Sequence, residues 1–111
     1  MDRRVVATVA SLEEGWRQQY CVADLAAKVN LAPSRLQHLF KATMKMSIRE
    51  HVRKLRLHAA AHRIASSFDR ISEIGYSVGF RDMSNFNHAF RREFGMSPRE
   101  YRRQKAESTN S

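Results

Sequence analysis

The chain has 111 residues, 42% of them hydrophobic, with 20 lysines and arginines against 11 acidic residues and a formal charge of +9. That apolar content excludes a wholly disordered chain, the length allows one domain or two very small lobes, and the single cysteine, Cys21, excludes an internal disulfide framework. Residues 1–30 balance Arg3, Arg4, Arg17 and Lys28 against Asp2, Glu13, Glu14 and Asp24, so the whole net charge lies in residues 31–111 and points to a polyanionic partner there.

A first helix is predicted on the apolar stripe Val5, Val6, Val9, Leu12 and Trp16, with Gly15 helping to end it. A second short helix follows on Val22, Leu25, Ala26 and Val29, with Cys21 at the N-cap position and Asp24 three residues on as a weak capping box. Pro33 opens a third helix through Leu36, Leu39 and Phe40. Ser47 caps a long fourth helix on Ile48, Val52, Leu55 and Ala59, running to about Ser66. Ser66-Ser67-Phe68-Asp69 breaks the pattern. Ile71, Ile74 and Val78 give a fifth helix. Asp82 caps a sixth on Phe86, Ala89 and Phe90, which Gly95 stops, and Ser97-Pro98 starts a seventh around Tyr101. Strand signals are nearly absent, so the expected class is all-α with about seven helices. The tail 107–111 is polar and expected to be disordered.

One pattern occurs twice. Residues 22–41 and 71–91 align at an offset of 49 on Leu25 and Ile74, and of 50 on Phe40 and Phe90, with one extra residue between the two registers. Each copy reads as a helix, a tight turn and a second helix. A reversal of that kind needs a left-handed backbone position. Gly79 supplies it in the second copy, and the matching Asn30 is the residue type that tolerates it best without being glycine. Ala26 and Gly75 supply a small residue where the paired helices approach. Two ordinary αα-hairpins would not need to share turn chemistry, small residue and apolar frame.

If the third helix buries Leu36, Leu39 and Phe40, it turns Ser34, Arg35, Gln37, His38 and Lys41 outward. If the sixth buries Phe86, Ala89 and Phe90, it turns Met83, Ser84, Asn85, Asn87, His88 and Arg91 outward. Amides can pair with adenine, arginine and histidine can address guanine or phosphate, and Met83 can pack on a thymine methyl. The base-reading candidates are therefore Ser34, Arg35, Gln37, His38, Met83, Ser84, Asn87 and His88. Lys41, Arg81, Arg91, Arg99 and Arg102 are candidates for phosphate, as are Arg92 and Arg103. Two other readings fit the charge: a non-specific nucleic-acid binder, and a helical module for an acidic protein surface. His58 and His62 stand four apart on the long helix, but no Cys or carboxylate nearby in sequence completes a metal site, so neither metal nor cofactor is expected. No nucleophile with its base, carboxylate pair or phosphate-cradling glycine loop is present, so no enzyme is expected. No long apolar stretch or lysine cluster favours a membrane, and Met1-Asp2-Arg3-Arg4 leads into a mixed segment rather than a signal peptide's apolar core, so a cytoplasmic protein is expected.

The stretch Ile71-Ser-Glu-Ile74-Gly-Tyr-Ser-Val78-Gly79-Phe80, followed by Phe86, Phe90, Phe94-Gly95, Ser97-Pro98 and Tyr101-Arg102, resembles the signature of AraC/XylS-type bacterial transcription regulators, and the resemblance runs from about Val5 to Arg103. It implies two homeodomain-like helix-turn-helix lobes joined by a long helix, here 1–46, 47–66 and 67–106. It also implies sequence-specific binding to promoter double-stranded DNA, commonly with activation through RNA polymerase. The chain would be either the C-terminal DNA-binding unit of a longer regulator or a small stand-alone member. It could bind as a monomer, with any dimerisation through a domain not present here. The connecting helix would span roughly 30 Å against a DNA repeat of roughly 34 Å, which suggests two readers in successive major grooves. Two residues depart from the family pattern: Lys45 stands where Gly is usual, and Gly75 where Ala is usual.

Overall fold

The computed structural model describes residues 1–110. Among them are seven helices and no strand: α1 (Arg3–Gly15), α2 (Val22–Lys28), α3 (Pro33–Met44), α4 (Ile48–Ser66), α5 (Ile71–Ser77), α6 (Met83–Phe94) and α7 (Pro98–Asn110). The chain divides into two compact units, Met1–Leu55 and Arg56 onward, so the division falls inside α4. The all-α expectation with paired helix-turn-helix elements holds.

In the first unit, Val5, Leu12, Leu25, Ala26, Leu36, Phe40, Ile48 and Val52 form the core, and Val9, Leu31, Leu39 and Met44 pack against it. The stripe on α1 is Val5, Thr8 and Leu12; Val6, expected on it, is 50% exposed. Thr8 tolerates burial because its hydroxyl donates to the Arg4 carbonyl at 2.8 Å, the i−4 bond open to a helical threonine. Cys21 takes the N-cap position of α2 but makes no side-chain cap.

The second unit builds the same frame from larger rings. Phe86 and Phe90 are fully buried where the first unit has Leu36 and Phe40. Phe90 packs on Phe94 at 4.5 Å and on Tyr101 at 5.4 Å between ring centroids. On α4 the buried residues here are Leu57, Ala60, Ala61 and Ile64. The apolar register of that helix therefore changes between Leu55 and Leu57, and Ala59, expected on the stripe, is only half-buried. α7 continues through residues 107–110, where polarity suggested a disordered tail. A lack of apolar residues removes packing but does not stop propagation through Gln104, Lys105, Ala106 and Glu107, all good helix formers. Ser111 lies outside the described residues.

Both paired-helix turns close in the same way. Asn30 (φ 59°) and Gly79 (φ 107°) are left-handed. The next amide reaches back five residues, Leu31 N–H to the Ala26 carbonyl at 3.0 Å and Phe80 N–H to the Gly75 carbonyl at 3.1 Å. Asn30 N–H bonds the Ala27 carbonyl and Gly79 N–H the Tyr76 carbonyl, which completes a Schellman closure in each unit. The far ends of the second helices also match. Lys45 (φ 62°) and Gly95 (φ 75°) are both left-handed, and their amides return to Lys41 and Arg91. Lys45 thus adopts the glycine-like geometry despite its Cβ.

Lys45→Gly should relieve that conformation, worth about 1–2 kcal/mol for a non-glycine residue, against about 0.5–1 kcal/mol of added chain entropy. The expected result is a small net gain in the first unit, read by urea unfolding through Trp16, the only tryptophan. The same probe tests His51. Its Nε2 is buried without a hydrogen-bond partner, and its ring lies edge-on to Phe40. Burial pushes its pKa below the ordinary 6.5, Lys54 acts in the same direction, and Glu13 opposes them. The unfolded chain therefore takes up the proton first, so stability should fall as pH drops below about 6.5 and level off under the depressed folded value. In His51→Tyr, which copies Tyr101 at the equivalent place in the second unit, this contribution to the pH dependence should vanish.

Candidate nucleic-acid interface

The second helix of each pair carries the candidate surface. α3 and α6 both have 12 residues and are in register at an offset of 50. From 34–50 and 84–100 the pattern of buried, half-buried and exposed positions is the same residue by residue. Ser34, Arg35, Gln37, His38 and Lys41 are all exposed on α3; Ser84, Asn85, Asn87, His88 and Arg91 are all exposed on α6. At 100° per residue, Ser34, His38 and Lys41 run along the side opposite Leu36 and Phe40, with Gln37 and Arg35 on its two flanks. Ser84, His88, Arg91, Asn87 and Asn85 repeat that arrangement.

The match extends past the helices compared in sequence. Met46-Ser47-Ile48-Arg49-Glu50 and Met96-Ser97-Pro98-Arg99-Glu100 occupy equivalent positions. The Ser47 hydroxyl accepts from Glu50 N–H and the Ser97 hydroxyl from Glu100 N–H, each at 3.1 Å. Arg49 is exposed like Arg99 and is its counterpart. Sequence comparison stopping at Lys41 and Arg91 misses it, although the repeated Met-Ser-x-Arg-Glu string marks it. In the second unit, Ser84, Asn87, His88 and Arg91 line one side of an open cleft, and Ser97, Pro98 and Arg99 line the other, with Ile71 beside them. Arg91 sits 3.5 Å from Glu100, but both side chains are about half-exposed or more, so solvent screens the pair and Arg91 is cheaply released to another anion. Arg81 is exposed in the turn before α6.

Two expected contacts are placed differently. Met83 is half-buried, and its thioether turns onto α5. A Cβ on Gly75 would stand 2.6 Å from the Met83 methyl carbon and 3.2 Å from the Phe86 ring. Gly75, where the family pattern has Ala, thus makes room for Met83; in the first unit Ala26 stands at the equivalent place, and the residue matching Met83 is the compact Pro33. Met83 is withdrawn from the outer face toward which its helix position directs it. Arg102 is half-buried and donates to the Ile64 carbonyl at 2.9 Å and the Asp69 carbonyl at 2.7 Å. Its guanidinium satisfies a carbonyl in the last turn of α4, which would otherwise lack an intrahelical partner, so it is a structural tie and not a free cation. Arg63 braces the same loop through Asp69 at 2.9 Å and the Ser77 hydroxyl at 2.6 Å, and it lowers the Asp69 pKa.

The helix starts differ too. The Asp82 carboxylate accepts from Ser84 N–H at 2.7 Å and from Asn85 N–H at 3.3 Å, whereas Ala32 gives α3 no side-chain cap. The turn glycine has a second constraint besides its φ: the Arg56 guanidinium carbon lies 3.1 Å from where a Gly79 Cβ would be. His58 bonds Glu93 at 2.9 Å and lies against Phe94. Among the described residues, no group of three or more His, Cys, Asp or Glu side chains is placed to hold a metal ion. Among the described residues, no helix is long and apolar enough to cross a membrane.

A helix-turn-helix domain family matches residues 25–104. The HTH-type transcriptional activator RhaS of Citrobacter koseri is 32% identical over 101 residues, covering 91% of this chain and 36% of that protein. The chain spans about a third of the length of the curated relatives it matches. A transcriptional regulator of Chromobacterium violaceum, described among AraC-type DNA-binding domain-containing proteins, superposes with a TM-score of 0.84 at 26% identity, over 93% of this chain and 92% of that one. The DNA-binding domain of AdpA, solved in complex with a target DNA, superposes with a TM-score of 0.78 at 23% identity, over 93% of each chain.

Arg102→Met should lower the stability of the second unit by about 1–3 kcal/mol, the usual cost of losing hydrogen bonds from a charged group. It should leave relative affinities among different duplexes unchanged. Thermal unfolding followed by circular dichroism, beside binding titrations below the unfolding range, checks both halves.

Proposed function

This chain belongs to the AraC-type helix-turn-helix family, and from that premise we propose that it is a sequence-specific double-stranded DNA-binding transcription regulator. The observation that carries the reading is the pair of exposed faces on α3 and α6, which offer the same hydroxyl, amide and imidazole in the same register. A helix of this kind enters the major groove with its N-terminal residues at the base edges. There Gln37 and Asn87 can pair with adenine, and Arg35, His38 and His88 can address guanine. Ser34 and Ser84 can bond either kind of base. Lys41 and Arg91 come later in their helices, and with Arg81, Arg99 and Arg49 they would hold phosphates, fixing position without reading sequence.

One chain supplies two readers, so a monomer suffices for an asymmetric bipartite site. With 19 residues, α4 is roughly 28 Å long. It can therefore act as a spacer between readers in successive major grooves, whose repeat is roughly 34 Å. If the two readers stand closer together than that repeat, either the duplex bends, favouring flexible steps between the half-sites, or one lobe engages poorly. The RhaS relative is named a transcriptional activator, which supports activation as the direction of regulation; RNA polymerase as the second partner and the cytoplasm as the location belong to the same proposal. No catalytic step is assigned to the chain.

Gln37→Ala and His88→Ala should each cost about 1–3 kcal/mol on the preferred duplex and relax preference at one position. Affinity of the unaltered chain should fall steeply with salt as phosphate contacts release counterions. Titrations of matched and mismatched duplexes at several salt concentrations read both effects. Equal binding to all duplexes would leave a non-specific binder, and no binding at low salt would leave a protein-interaction module.

A further inference from the structure

We propose that the two faces read two versions of one short sequence, and that Arg35 and Asn85 decide the base at which the versions differ. This rests on the DNA-reading assignment above and deepens it. The register between α3 and α6 is fixed by three independent features. Leu36 and Phe40 are buried where Phe86 and Phe90 are. The left-handed residues Lys45 and Gly95 end the two helices. Ser47 and Ser97 cap the helices that follow. In that register the exposed positions of the first two turns pair Ser34 with Ser84, Arg35 with Asn85, Gln37 with Asn87 and His38 with His88.

Three of these pairs keep their hydrogen-bonding chemistry. Ser34/Ser84 and His38/His88 are identical, and Gln37/Asn87 is the same carboxamide on stems one methylene apart. The same groups on equivalent scaffolds favour the same bases. The fourth pair changes chemistry. Arg35 is a planar set of donors with no acceptor, whereas Asn85 carries one acceptor and two donors. Arginine matches the two acceptors of guanine, and asparagine the acceptor and donor of adenine. The half-site read by α3 should therefore carry guanine where the half-site read by α6 carries adenine. Both side chains are free to do this: each is exposed, and neither has a hydrogen-bond or ion-pair partner among the described residues. A further exposed difference, Ala42 against Arg92, lies in the third turn, where a cation meets phosphate.

The direction of the test follows from the helix starts. An arginine placed at 85 would have the Asp82 carboxylate three residues before it, whereas Ala32 leaves position 35 without such a competitor. Arg35→Asn is therefore the informative change. Duplexes retained by the unaltered chain and by Arg35→Asn would be selected from a random pool and sequenced. The unaltered chain should enrich two related half-sites that differ by guanine against adenine at one pair. Arg35→Asn should shift preference at that pair, in one half-site only, by roughly tenfold toward adenine. A uniform loss on all duplexes without a base switch would place Arg35 on phosphate and overturn the proposal while leaving DNA reading intact. Unrelated half-sites for the unaltered chain would also overturn it. A pool with no enriched sequence would remove the DNA-reading assignment, and this proposal with it.

Discussion

Each unit depends on a left-handed residue closing a helix against the carbonyl of a small residue. Leu31 N–H to Ala26 and Phe80 N–H to Gly75 bond main chain to main chain, so they fix the reversal whatever side chains surround it. The small residue does two jobs. It supplies the accepting carbonyl, and it lets the next helix approach closely enough for Leu36 or Phe86 to reach the interior. With one side of that helix packed down, its other side is held out. A reading face on a surface helix needs this kind of backing, because groups that must meet base edges act only from a rigid support.

The charge is organised around the same frame. Two arginines near the α4–α5 loop are consumed internally: Arg63 binds Asp69 and Ser77, and Arg102 binds two carbonyls. The cations left on the outer faces, Lys41, Arg49, Arg91 and Arg99, are exposed. Net charge alone would have credited all of them to a polyanion. Sorting them by hydrogen-bond partner separates those that hold the loop from those that can neutralise phosphates.

The repeat was legible in the sequence because its determinants are local. Asn30 and Gly79 announce left-handed turns, and the spacing of Leu36, Phe40, Phe86 and Phe90 sets the inward stripe. Features decided by tertiary contact were not. Val6 and Thr8 compete for a place on α1, and hydrophobicity favours the wrong one because the threonine hydroxyl is satisfied by its own helix. Met83 and Arg102 have long, flexible side chains, so position on the helix does not determine where their tips go. Only the space over Gly75 and the open carbonyls of Ile64 and Asp69 show it. The change of register on α4 between Leu55 and Leu57 was also hidden, since two short stripes on one helix read together as a single long one. Arg49 was recoverable, had the alignment been carried eight residues beyond Lys41.

The two turns differ in length by one residue: Pro33 follows Asn30 by three positions, and Met83 follows Gly79 by four. On either side of that difference the main inward positions correspond, Leu25 and Ala26 with Ile74 and Gly75 before it, and Leu36 and Phe40 with Phe86 and Phe90 after it. Loop length is therefore not what sets the geometry of the paired helices; the backbone closure upstream and the packed rings downstream hold it from both ends. The stretch between them behaves as a seam, the place where a lineage of such chains can gain or lose a residue and acquire a new cap such as Asp82 while the scaffold on either side stays in phase.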